Sequence, residues 1–64
     1  MAEPSFVPLE ERRKEIFAAL VAAQDRGLSV HQSKQDVATA FGVTWQTVER
    51  IEREGMDNDW PPLS

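Results

Sequence analysis

The stretch from Lys34 to Arg53, KQDVATAFGVTWQTVERIER, constrains the fold of this chain more than any other segment. Its apolar residues are Val37 and Ala38, then Phe41 and Val43 around Gly42, then Val48 and Ile51. Two short helices that cross steeply over a tight turn need this spacing. Ala38 is small where the two helices would come closest, and Gly42 accepts the positive φ that ends the first without a Cβ clash. Phe41, Val43, Val48 and Ile51 supply the seam to bury. The pattern predicts a helix-turn-helix.

Upstream, Ile16, Phe17, Leu20 and Val21 recur at helical spacing and predict an amphipathic helix from Leu9 to about Arg26, closed by Gly27. Pro8 suits its first turn, where a missing N–H costs nothing, and Glu10 and Glu11 suit the positive end of its dipole. Leu28 and Val30 are expected to fold over the core from a short connection. Ser33-Lys34-Gln35-Asp36 has the form of a capping box, with Ser33 as the cap of the second helix, which runs to about Phe41. Thr44 is expected to cap the third helix. Gly55 would stop it, with Met56 closing the end by a hydrophobic contact.

The predicted fold is all-α: an extended arm over residues 1–8, a trihelical domain over 9–56 and a proline-rich tail over 57–64. Pro61 and Pro62 predict a stiff, extended run in that tail. The core is expected to comprise Phe17, Leu20, Val37, Ala38, Phe41, Val43, Val48 and Ile51. In 64 residues the fraction of surface that folding buries is low, so each large apolar side chain carries weight.

Composition narrows the functional classes. With no cysteine and one histidine, His31, neither a disulfide framework nor the usual zinc sites can be built, and no metal or cofactor is expected. No apolar run approaches the ~20 residues of a membrane-spanning helix. The order of charges in MAEPSFVPLEERRK is wrong for a secretory leader, so a cytoplasmic location is expected. A chain this short offers no room for a deep cleft, and no nucleophile–base pair, carboxylate pair or phosphate loop is visible. Catalysis is therefore not expected, and no catalytic residue is assigned.

The second helix of such a motif is the element that usually enters the DNA major groove. Net charge opposes tight binding. It is −4, and −1 once Glu3, Asp57 and Asp59 of the flanking segments are set aside. Few phosphates can be neutralised, so useful affinity would need a dimer or a basic partner.

Individual residues have competing readings. Trp45 either meets a thymine methyl or a sugar face, or packs on the second helix or the tail. Trp60 is either an anchor on the domain, the favoured reading, or a plug for a partner's pocket. Arg53 follows Glu49 by four residues, the spacing of a surface ion pair. His31, read as lying in a loop, suits a surface or capping role. Arg12, Arg13 and Lys14 form a basic cluster flanked by Glu10, Glu11 and Glu15 and read as a solvated face.

Gly42-Val43-Thr44 through Val48-Glu49-Arg50-Ile51-Glu52 resembles the C-terminal helix-turn-helix, region 4, of bacterial sigma factors, over Val37 to Glu54. That family commonly shows a glycine, an aliphatic residue and a threonine, then a polar-charged triplet, an aliphatic, two residues and Ile-Glu. Here the triplet is Trp45-Gln46-Thr47 where the family usually has Arg-Glu-Arg, and Glu49 stands where it has a basic residue. The resemblance implies a transcription-related domain whose third helix reads promoter DNA, with RNA polymerase as a natural partner. Thr44, Trp45, Gln46, Thr47, Arg50 and Arg53 are the implied DNA-binding residues, Gln46 suiting adenine and Arg50 guanine. The alternative is an acidic scaffold of the same fold that binds another protein through Trp45 or Trp60. The oligomeric state is left open.

Overall fold

A computed structural model describes residues 9–63, which form three α-helices: α1 (Glu10–Asp25), α2 (Val30–Phe41) and α3 (Trp45–Asp57). No strand occurs among the described residues, and each helix packs on both others. The expected arm at 1–8 lies outside the described residues.

One seam unites the helices. Ile16, Phe17 and Leu20 of α1, Val37 of α2, and Val48 and Ile51 of α3 are all buried, joined by Trp60 from beyond α3. Ala38, Phe41 and Val43, expected fully inside, pack against this core but stay partly exposed. They lie beside the turn at the edge of the seam, where Arg12 of α1 sits over the Phe41 ring.

All three helices end with the same reversal. After α1, Gly27 at φ +100° donates its N–H to the Gln24 carbonyl and Leu28 donates to Ala23. After α2, Gly42 at φ +68° donates to Thr39 and Val43 to Ala38. These are Schellman closures, which satisfy carbonyls left without helical partners. The third closure holds Asp59, at φ +52°, where the others hold glycine; its N–H reaches Met56 and that of Trp60 reaches Gly55. The closure turns the chain back and delivers Trp60 to the core.

This corrects the expected end of α3. Gly55 is inside the helix, and its missing Cβ serves packing: a Cβ there would overlap the Phe17 ring. Met56, expected to close the helix, is 59% exposed. Pro61 and Pro62 form a turn rather than an extended run, with Leu63 donating its N–H to the Trp60 carbonyl.

The start of α2 is corrected too. Ser29, not Ser33, is the cap, its hydroxyl accepting from the Gln32 N–H at 3.0 Å. Ser33 lies one turn inside the helix, fully buried. Its hydroxyl donates to the Val30 carbonyl at 2.8 Å and accepts from Gln24 Nε2 at 3.2 Å, tying α1 to α2. Asp36 returns no bond to a cap; it accepts from the Gln32 side chain. Val30 opens the helix and is exposed, leaving Leu28 as the half-buried aliphatic of the connection. Thr44 caps α3 as expected, accepting from the Thr47 N–H at 3.0 Å.

Candidate nucleic-acid interface

The three-residue connection, 42–44, sets α3 behind α2 in a helix-turn-helix and leaves one side of α3 facing outward. Val48 and Ile51 fix which side that is, because burying them leaves Gln46, Arg50, Arg53 and Asp57 exposed. Those four positions are spaced four, three and four residues apart, so they form one stripe along the helix. Glu49, Arg50, Arg53, Glu54, Asp57 and Asn58 line a shallow groove of about 450 Å³ on this side.

The implied DNA-binding residues fall into three groups. Gln46, Arg50 and Arg53 are exposed on the stripe. Thr44 and Thr47 serve the helix start: besides the cap bond, the Thr44 hydroxyl donates to that of Thr47 at 2.9 Å. Trp45 is half-buried and set against α2, its ring 5.9 Å from the His31 ring and 5.0 Å from Lys34 Nζ. The packing reading therefore describes Trp45 in this structure. His31 is correspondingly in the first turn of α2, not in a loop. Trp45 Nε1 is buried and has no hydrogen-bond partner among the described residues.

Charge around α3 is sorted by a network that spacing along the chain does not reveal. Lys34 is buried, with Nζ 3.0 Å from Glu52 and 3.7 Å from Glu49 and its cation over the Trp45 face. One ammonium thus locks α2 to α3. Glu49 leans toward Lys34 while its side chain stays half exposed at the groove, and the expected Glu49–Arg53 pair does not form. Arg13, expected on a solvated face, joins α1 to α3 instead. Its Nε and Nη2 donate to the two carboxylate oxygens of Glu54, each at 2.8 Å. A bidentate pair of this kind is short and directional. It holds the Glu54 carboxyl below its ordinary pKa, chiefly through the hydrogen bond, while partial burial opposes the shift. The same bond raises the Arg13 pKa further. Arg12 pairs with Glu15 and sits over the Phe41 ring, and Lys14 pairs with Glu10. Among the described residues Arg50 and Arg53 form no ion pair.

Trp60 is removed from the candidate partner contacts. It is 6% exposed, with its ring edge-on to Phe17 at 6.2 Å and 81° and the Lys14 ammonium 5.8 Å from its face. Signals for Lys34 and Arg13 were faint: each needs a carboxylate that only the fold brings near, 15 to 41 residues along the chain.

No helix among the described residues is long and apolar enough to cross a membrane, and no group of three His, Cys, Asp or Glu among them could hold a metal ion. The chain matches no protein-family model, and comparison with curated proteins and with solved structures gives no match.

Proposed function

We propose that this domain is a transcription-related DNA-binding module that presents α3 to the major groove. The observation carrying the proposal is the exposed stripe of Gln46, Arg50 and Arg53 on the helix after the turn, with both arginines outside any ion pair among the described residues. Arginine bidentate to guanine and glutamine bidentate to adenine are the pairings such a stripe can make. Thr44 and Thr47, at the helix start, suit phosphate contacts that set the register. In this reading Trp45 braces α3 against α2 rather than touching bases. The resemblance to sigma factor region 4 supports the same helix and adds RNA polymerase as a partner.

Charge sets the form the activity takes. Lys34 and Arg13 are held by Glu49, Glu52 and Glu54, so they add little to phosphate neutralisation. The isolated domain would bind DNA weakly with a shallow salt dependence, because the slope follows the number of phosphates contacted. A second copy or a basic partner would supply the remaining affinity.

Fluorescence anisotropy on oligonucleotides selected from a random pool tests the reading. Arg50→Ala should cost ~1–3 kcal/mol at one base pair and relax preference there. Absence of binding at low salt, even for a version fused to a dimerising partner, would overturn it. The second reading, an acidic scaffold for another protein, is favoured by the net charge of −4 and by the exposed side chains of Leu9, Val30, Met56 and Leu63.

A further inference from the structure

The residues lining the groove on α3 have a symmetry of their own. About a point between Arg53 and Glu54, Arg50 mirrors Asp57 and Glu49 mirrors Asn58. We infer that α3 is a self-docking surface on which a second copy of this chain packs antiparallel about a two-fold axis at Arg53 and Glu54. A two-fold interface requires that each residue meet the mirror position of the other copy. Here the rule places Arg50 on Asp57 of the second copy, Arg53 on Glu54 and Glu49 on the Asn58 amide. Each of these pairings occurs twice, and none sets like charge directly opposite like.

Three further observations favour a second copy as the occupant. Arg50, Arg53 and Asp57 are exposed and form no ion pair among the described residues, so pairing breaks nothing in the monomer. Glu54 keeps a third of its side chain exposed although it holds Arg13, so it still offers charge to Arg53 of the second copy. Met56, 59% exposed and next in the chain to Asp57, adds apolar surface on the same helix. The helix has 13 residues, so the contact is small. Exposed ion pairs each contribute little and are screened by salt. The dimer is accordingly weak and salt-sensitive. This dimer covers Arg50 and Arg53, so it competes with DNA for the same face of α3 and is not the second copy that would add DNA affinity.

Sedimentation velocity on the full chain, up to about 1 mM protein, tests it. Dimer should form at about 0.01 M salt and weaken at least roughly tenfold at about 1 M, where the Debye length falls to about 3 Å. Charge reversal gives the sharper result. Arg50→Asp alone and Asp57→Arg alone each set like charges opposite each other at both ends, so each should stay monomeric. Mixed together, the two variants restore both pairings and should form a heterodimer, and the double variant Arg50→Asp/Asp57→Arg should dimerise with itself. Circular dichroism on each variant establishes that the helices persist, as expected for exposed positions. A chain monomeric throughout at low salt, or a mixture of the two variants that associates no better than either alone, overturns the inference.

Discussion

Replacing Gly55 with alanine sets two effects of opposite sign against each other, and the structure decides between them. On an exposed helix the change stabilises by about 1 kcal/mol, because glycine is the poorer helix former. Here the new methyl would overlap Cγ, Cδ1 and Cε1 of Phe17, atoms of a rigid ring that is fully buried. The ring is blocked from retreating, since Trp60 stands edge-on to it and Ile16, Leu20 and Ile51 belong to the same core. Overpacking costs typically ~1–3 kcal/mol, and a ring held this closely belongs at the upper end. Subtracting the propensity gain leaves a net loss of about 2 kcal/mol. For a domain of this size that corresponds to a melting temperature lower by about 8–16 °C. Urea denaturation followed by circular dichroism reads the loss directly. The change should be partly relieved in Gly55→Ala/Phe17→Leu, with a favourable coupling of about 1 kcal/mol in a double-mutant cycle. A Gly55→Ala protein as stable as its parent would refute the reasoning, because α1 and α3 could not then be in close contact at this point.

Trp60→Ala should cost ~3–5 kcal/mol, enough to bring so small a domain near unfolding; an unchanged melting curve would show that the ring does not belong to the core. Ser33→Ala leaves Gln24 Nε2 without its acceptor and should cost about 1–3 kcal/mol by urea titration, whereas an exposed cap at Ser33 would respond far less. The Glu54 carboxyl is held below its ordinary pKa when folded, so its contribution is fully present above the unfolded value and is lost as pH falls through the folded one. Glu54→Gln should flatten that acid limb and lower stability at neutral pH, while an acid limb identical to the parent's would remove the Arg13 clamp from the account. In anisotropy titrations Arg53→Ala should weaken binding across sequences alike, in contrast to the base-pair-specific loss expected for Arg50→Ala.

How much of this was legible from the chain follows from the range over which each signal acts. Gly42 and Thr44 were readable because a closure and a cap depend on neighbours within a few residues. The seam from Phe17 to Ile51 was readable from helical periodicity. Ser33 was read as the cap because Ser33 to Asp36 has the form of a capping box, whereas Ser29 is the cap and Ser33 turns toward Gln24 inside the helix. Gly55 misled because glycine so often ends helices; tertiary contact with Phe17 overrode that preference, and Asp59 took the left-handed position instead. Lys34 was illegible as a buried charge, since its tolerance inside depends on Glu49 and Glu52 from another helix. The stripe on α3 was half legible. Gln46, Arg50 and Arg53 were named from the resemblance to region 4, but the diversion of Glu49 to Lys34, which leaves Arg53 without that partner, is a property of the fold.

The two tryptophans occupy different seams: Trp60 lies between α1 and the end of α3, and Trp45 between α2 and the start of α3. With no tyrosine in the chain, emission excited at the red edge of the indole band, where phenylalanine does not absorb, comes from these two indoles. The molecule therefore carries its own pair of reporters for cooperativity. In Trp45→Phe the light follows the α1–α3 seam, and in Trp60→Phe it follows the α2–α3 seam. Coincident denaturation curves would mean that three helices melt as one unit. Separated curves would mean that the helix-turn-helix outlives its brace, or the reverse.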